Sequence, residues 1–214
     1  MNTQLAFDSV AQSGLIACLR GQFPPDGALR VAAVLMEASI NCFEFTMNSV
    51  QPIEAMQAVK REYGAAAVVG MGTVLDTEMA LRVLEAGGEM VISPAFNPAV
   101  IELAQRADVL MIPGVITPTE AVNAWDTGVK MIKIFPIGSL GVDYFKAVRA
   151  PLDHIQFCCN GGMDESNVAA FIKAGAVACG MAGWLTGSGS MPLDDIRRRA
   201  QTLRRIVAEA RQLV

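Results

Sequence analysis

The chain has 214 residues, 52% of them hydrophobic and 18% charged, with 17 Lys+Arg against 21 Asp+Glu. That balance favours extensive burial and excludes a disordered chain. Mild acidity and a scarcity of lysine argue against a nucleic-acid-binding face, which leaves small molecules and sister subunits as the expected partners. The cysteines, Cys18, Cys42, Cys158, Cys159 and Cys179, form no Cys-x-x-Cys pair and lie in apolar, strand-like runs. They read as reduced thiols of a cytoplasmic protein. A single histidine, His154, and unclustered cysteines offer little from which to build a metal site, so neither metal nor cofactor is expected. Residues 1–14 lack the basic start and apolar run of a signal peptide. No apolar stretch reaches the roughly 18 residues of a membrane span, so a soluble protein is expected.

A helical pattern at 3–12 leads the chain. Short apolar runs then alternate with amphipathic ones: strands at 15–19, 42–46, 67–70 and 90–93, separated by helices at 25–38, 52–63 and 77–86. The alternation continues through a helix at 98–106, a strand at 109–113, a helix at 118–126, a strand at 131–135 and a helix at 141–148. It ends with a strand at 155–158, a helix at 165–174, a strand at 176–180 and a final helix at 193–213. Asn97-Pro98 and Thr117-Pro118 are helix starts, and Gly64, Gly87, Gly128 and Gly175 are stops. Eight strand–helix units with no break in composition predict a single (β/α)8 barrel domain spanning 1–214. The competing architecture is an open doubly wound sheet, which usually has about five or six strands and a Gly-x-Gly-x-x-Gly turn that is missing here.

Catalytic groups of such barrels sit at the C-terminal strand ends. Lys133 lies in an otherwise apolar strand, where period-two alternation sets Met131, Lys133 and Phe135 on one face and Ile132 and Ile134 on the other. The β-branched pair suits packing against helices, so the lysine points into the barrel. Burial there disfavours the ammonium and favours the free amine that a Schiff base needs. A lysine snorkelling from the strand end, or one paired for structural reasons, is the competing reading. Glu44 strengthens the catalytic one. It stands between Phe43 and Phe45, with Cys42 and Thr46 on its own face, and a carboxylate so placed is costly unless paired or catalytic. The second and sixth strands contribute to common interior layers, so Glu44 and Lys133 can meet, as a catalytic pair or as a structural ion pair. Gly161-Gly162 and Gly183-Trp184-Leu185 close the last two strands, where barrel enzymes often bind phosphate on backbone N–H groups; tight turns are the plainer alternative. His154 enters a strand at the opposite face and reads as non-catalytic, and Trp184 reads as packing. Arg197-Arg198-Arg199 with Arg204-Arg205 reads as a solvated helix face or a subunit contact.

Glu44-x-Thr46, Gly72-Thr73-Val74-Leu75, Ser93-Pro94, Ile112-Pro113-Gly114, Lys133-x-Phe135-Pro136 and Gly161-Gly162, in this order and spacing, resemble the 2-keto-3-deoxy-6-phosphogluconate (KDPG) aldolase family. Residues 16–21 and Met47-Asn48-Ser49 are closer to its 2-keto-3-deoxy-6-phosphogalactonate (KDPGal) branch. The resemblance implies a metal-free class I aldolase, usually a homotrimer, that yields pyruvate and an aldehyde such as glyceraldehyde 3-phosphate. It makes Lys133 the Schiff-base lysine and Glu44 the general acid/base. Arg20 and Thr73 would hold the pyruvate carboxylate, Pro94 and Phe135 would wall the pocket, and Gly161, Gly162 and Gly183 would receive the phosphate. Two positions depart from the pattern. Asn160, which should touch the sugar hydroxyls, matches neither branch, and Gly183 replaces an expected phosphate-binding serine. An unphosphorylated substrate such as 4-hydroxy-2-oxoglutarate is therefore an alternative, and a phosphosugar isomerase or a non-catalytic binding protein are readings from other classes.

Overall fold

A computed structural model describes residues 1–212, so the end of the final predicted helix, at 213, lies outside the described residues. The chain opens with helix α1 (Thr3–Ser13), and strands β1 (Leu15–Leu19), β2 (Cys42–Thr46), β3 (Val68–Gly72) and β4 (Met90–Ile92) follow, separated by α2 (Pro25–Glu37), α3 (Pro52–Tyr63) and α4 (Thr77–Glu85). After α5 (Pro98–Arg106) come β5 (Leu110–Ile112) and β6 (Gly114–Val115), then α6 (Pro118–Trp125), β7 (Ile132–Ile134) and α7 (Gly141–Arg149). The chain continues through β8 (Phe157–Asn160), α8 (Val168–Lys173), β9 (Ala178–Met181), the short α9 (Gly183–Thr186) and α10 (Leu193–Gln212).

All pairings are parallel, in the order β5-β4-β3-β2-β1-β9-β8-β7-β6. The molecule is a (β/α)8 barrel. Among the described residues nine strands occupy eight positions, because the predicted fifth strand (109–113) ends at Pro113, which has no N–H for the ladder, and the chain resumes pairing beyond it as the unpredicted β6. The two pieces close the barrel: β5 pairs with β4, β6 pairs with β7, and the Pro113 carbonyl between them accepts from Lys133 N at 2.9 Å. Apart from the short α9, which is not among the predicted elements, the other differences from expectation lie at boundaries. Helix α8 starts at Val168 rather than 165 because Asp164, Ser166 and Asn167 spend their side chains on a local turn. Asp164 Oδ1 accepts from Ser166 N at 2.8 Å, and Asn167 Oδ1 accepts from Asp164 N at 3.0 Å, both in competition with helical bonds.

The strand alternation divides the core in two. Outward residues such as Phe43, Phe45, Ile132 and Ile134 pack beneath the helices, whereas Ile16, Cys42, Val68, Met90, Leu110, Met131, Cys158 and Ala178 fill the lower barrel interior together with Ala6 and Val10 of α1. Helix α1 therefore plugs the floor. Its last carbonyls would lack intrahelical partners, and two arginines of α10 supply them. Arg211 donates to the carbonyls of Gln12 (2.7 Å), Ala11 (2.6 Å) and Val177 (3.0 Å), and Arg204 donates to that of Ser13 (2.6 Å). Among the described residues no helix is long and apolar enough to cross a membrane.

All five cysteines are buried and unpaired in disulfides. Burial pushes the Cys42 and Cys158 thiols up to about 12, and those of Cys18, Cys159 and Cys179 well above the ordinary thiol range. A folded value above the unfolded one of about 8.5 means that this stability is fully present below that pH and is lost as pH climbs through the folded values. Each thiol steepens the loss by about 1.4 kcal/mol per pH unit. Urea-unfolding free energies should therefore fall steeply above roughly pH 9, and Cys159→Ala should make the fall shallower by about that slope.

Candidate active site

Above the apolar floor the barrel interior becomes polar. Glu44 on β2 is 1% exposed and Lys133 on β7 is 3% exposed, and both continue the inward faces begun by Cys42 and Met131. The carboxylate is aimed by an absence of side chain beside it. Glu44 leans over Gly72, where an added Cβ would overlap Oε1. On the other flank Cys18 of β1 stands directly opposite Glu44 in register, and Lys133 in turn stands opposite Cys158 of β8. The Cys18 thiol is raised by burial and then by the Glu44 charge, while Arg20 and Lys133 act to lower it. The Cys158 thiol is raised by burial, with Lys133 acting to lower it and Glu44 to raise it further. Because Cys42 and Met131, on the same strand faces, share one interior cluster, the buried Glu44 and Lys133 face one barrel chamber.

The two charges do not pair. Both Glu44 carboxylate oxygens are buried without a hydrogen-bond partner, and among the described residues no ion pair joins Glu44 to Lys133. A structural ion pair is thereby excluded as the reason for their burial. An unsatisfied buried polar atom costs about 1–3 kcal/mol, and more when charged, so the fold carries a penalty that a bound reactant would relieve. Lys133 Nζ lies 4.8 Å from the centroid of the Phe135 ring, the aromatic wall expected there. That ring is seated on Gly161, whose φ of 86° and contact with Phe135 leave no room for a side chain.

The remaining expected residues ring the mouth. Arg20, exposed, follows β1, and its loop is tied down because Gly21 N donates to Ser49 Oγ at 2.9 Å while Ser49 Oγ contacts Thr46 Oγ1 at 2.7 Å. Thr73 follows β3 with φ 59°, a left-handed conformation that is strained for a β-branched residue. Such strain costs about 1–3 kcal/mol and tends to collect at functional sites. Pro94 follows β4 and is pressed onto Gly114, where a Cβ would overlap the proline backbone. Asn160, 6% exposed, is the last residue of β8. Its side chain fills the space left by Gly180, and its Oδ1 accepts from Cys158 Sγ at 3.2 Å. Gly161, Gly162 and Gly183 line a cleft of about 330 Å³ together with Asp164 and Trp184. The side chain of His154 lies edge-on to Trp125, their ring centroids 6.2 Å apart, in the loop that enters β8 from the floor. Sequence reading missed Ser49 as a tether and Gly72 as the seat of Glu44. A glycine at an inward position of a strand is the one signal that pointed to the second.

A family model described as KDPG and KHG aldolase matches residues 12–201. The chain belongs to this family. A probable 2-dehydro-3-deoxy-6-phosphogalactonate aldolase of Rhizobium meliloti (strain 1021) is 35% identical over 187 residues, covering 87% of each chain. The 2-dehydro-3-deoxy-6-phosphogalactonate aldolase of Escherichia coli (strain K12) is 32% identical over 201 residues, 94% of this chain and 96% of that one. A solved structure described as native KDPGal superposes with a TM-score of 0.88 at 31% identity, covering 92% of this chain and 96% of the other. For an aldolase of this family the Gly72 seat is a direct test of how the site is built. Gly72→Ala is expected to displace the Glu44 carboxylate and lower turnover by roughly 100-fold or more, while thermal unfolding remains cooperative. Steady-state kinetics beside a melting curve would check it.

Proposed function

We propose that this chain is a class I aldolase that cleaves a 2-keto-3-deoxy-6-phospho-sugar acid reversibly to pyruvate and glyceraldehyde 3-phosphate. The observation that carries the reading is the burial of Lys133 and Glu44 in one chamber with no ion pair between them. The neutral amine of Lys133 attacks the C2 ketone, and loss of water leaves a protonated imine that accepts electrons from the adjacent carbon. Glu44 takes the proton of the C4 hydroxyl, the C3–C4 bond breaks, and the aldehyde departs from an enamine. Protonation of that enamine at C3 and hydrolysis of the imine return pyruvate and the free amine. The Arg20 guanidinium at the mouth pairs with the substrate carboxylate and turns the ketone toward the amine, with Thr73 beside it. Pro94 and Phe135 wall the reacting carbons, and Asn160 faces the hydroxyls of the aldehyde half. The backbone of Gly161, Gly162 and Gly183 receives the phosphate.

We further propose one barrel domain acting in the cytoplasm as a homotrimer. In support of an oligomer, a protein cage designed by fusing symmetric oligomeric domains superposes on this chain with a TM-score of 0.87 at 30% identity, covering 93% of this chain and 73% of that one.

Borohydride reduction in the presence of pyruvate, followed by peptide mass mapping, is expected to leave a pyruvyl adduct on Lys133. Lys133→Ala should form no adduct and lose cleavage entirely while keeping its fold. Turnover that survives the reduction would instead favour a phosphosugar isomerase or epimerase that uses Glu44 for proton transfer and Lys133 only as an electrostatic aid. The phosphate assignment has its own test, because the structure leaves open space where a side chain at Gly183 would project. Gly183→Ser is expected to lower KM for the phosphorylated substrate roughly tenfold or more, the value of one added charge-assisted hydrogen bond. It should leave KM for 4-hydroxy-2-oxoglutarate unchanged. An unchanged KM for the phosphorylated acid would move the choice to the unphosphorylated one.

A further inference from the structure

Glu44 is the least satisfied polar group of the chamber, and its surroundings limit what can steady it. Its register partner on β3 is Gly70, and Gly72 lies beneath its carboxylate, so β3 offers no side chain at all. Along its own strand, the Thr46 hydroxyl is engaged with Ser49 Oγ, and Cys42 belongs to the apolar floor. On the remaining flank, β1 presents Cys18, 3% exposed and directly opposite Glu44 in register. Alternation turns Cys18 inward, since Ile16 fills the barrel floor while Ala17 and Leu19 pack beneath the helices.

We infer that Cys18 is a positioning residue of the aldolase: once substrate is bound, its S–H, the side-chain donor beside Glu44 in register, donates to the carboxylate that has no hydrogen-bond partner in this structure and holds it toward the substrate's C4 hydroxyl. The inference rests on the aldolase reading given above. Chemistry suits the role. Burial and the Glu44 charge both favour the neutral thiol, so the proton to be donated stays in place throughout the working pH range. A thiol is also a weak donor, so it orients the carboxylate without suppressing its basicity as a stronger donor would. The other titratable or charged groups around the Cys18–Glu44 pair are Lys133 from β7 and Arg20 from the loop after β1, which act on the Cys18 thiol, and Cys158 from β8, on which Glu44 acts. None of these stands beside it in register.

The experiment compares pH–rate profiles for cleavage of 2-keto-3-deoxy-6-phosphogalactonate by the wild type, Cys18→Ala, Cys18→Val and Cys18→Ser, with borohydride trapping of pyruvate and a melting curve for each. Valine keeps the volume without the donor, and serine keeps a donor. In Cys18→Ala and Cys18→Val, kcat should fall about three- to tenfold with little change in KM. Their acid limb should move up by roughly half a pH unit, because a carboxylate that loses a donor takes up its proton more readily. Cys18→Ser should restore both. A wild-type limb and kcat in Cys18→Ala and Cys18→Val would overturn the positioning role whatever happens to their melting temperatures, with trapping still intact. Loss of trapping in the wild type would overturn the aldolase reading and this inference with it.

Discussion

Everything in this molecule depends on closing eight parallel strand positions around one interior that is too narrow to waste. Each strand sends alternate side chains inward, and the chain spends them unequally along the barrel axis. The lower half is apolar and sealed by α1. The upper half holds the Glu44 carboxyl group and the Lys133 amine, between which no ion pair forms. The dry floor matters to the chemistry above it, because charges in a low-dielectric chamber act more strongly on a reactant than the same charges in water. The seam at Pro113 belongs to the same constraint. One short segment must satisfy β4 on one side and β7 on the other, and the residue that breaks the ladder leaves its carbonyl to receive the backbone of Lys133.

Glycines let the chamber be both closed and functional. At 72 and 180 they make room for the side chains of Glu44 and Asn160, and at 114 and 161 they admit the Pro94 backbone and the Phe135 ring. The site is thus built as much from omitted side chains as from reactive ones. This explains why the catalytic groups, though drawn from distant strands, are held by neighbours rather than by hydrogen bonds. A carboxylate seated by shape keeps lone pairs free to accept a proton from a substrate.

Much of this was legible in the residues themselves. Lys133 and Glu44 stand out because period-two alternation makes a charge inside an apolar strand conspicuous, and the barrel order of their strands brings them together. The same local logic could not tell a catalytic pair from an ion pair. That distinction lies in separations across the barrel, which depend on register and tilt. Nor could it fix the ends of β3, β8 and β9, which run one or two residues beyond the apolar runs because pairing with neighbours, such as Asn160 with Gly180, decides where a strand stops. The late start of α8 has a local cause, since the turn-forming side chains of Asp164, Ser166 and Asn167 were visible, but their preference for turn over helix is settled only in competition.

The arginine caps on α1 carry a consequence for biosynthesis. Arg211 grips the carbonyls of Gln12 and Ala11 from positions 199 and 200 residues later in the chain. The floor of the barrel is laid down first and fastened last. During synthesis the leading helix emerges with its carbonyl end bare and has no guanidinium to receive it until α10 has cleared the ribosome. Sealing of the chamber therefore waits for α10, and a nascent chain halted before α10 carries every predicted catalytic residue over a floor that is not yet locked.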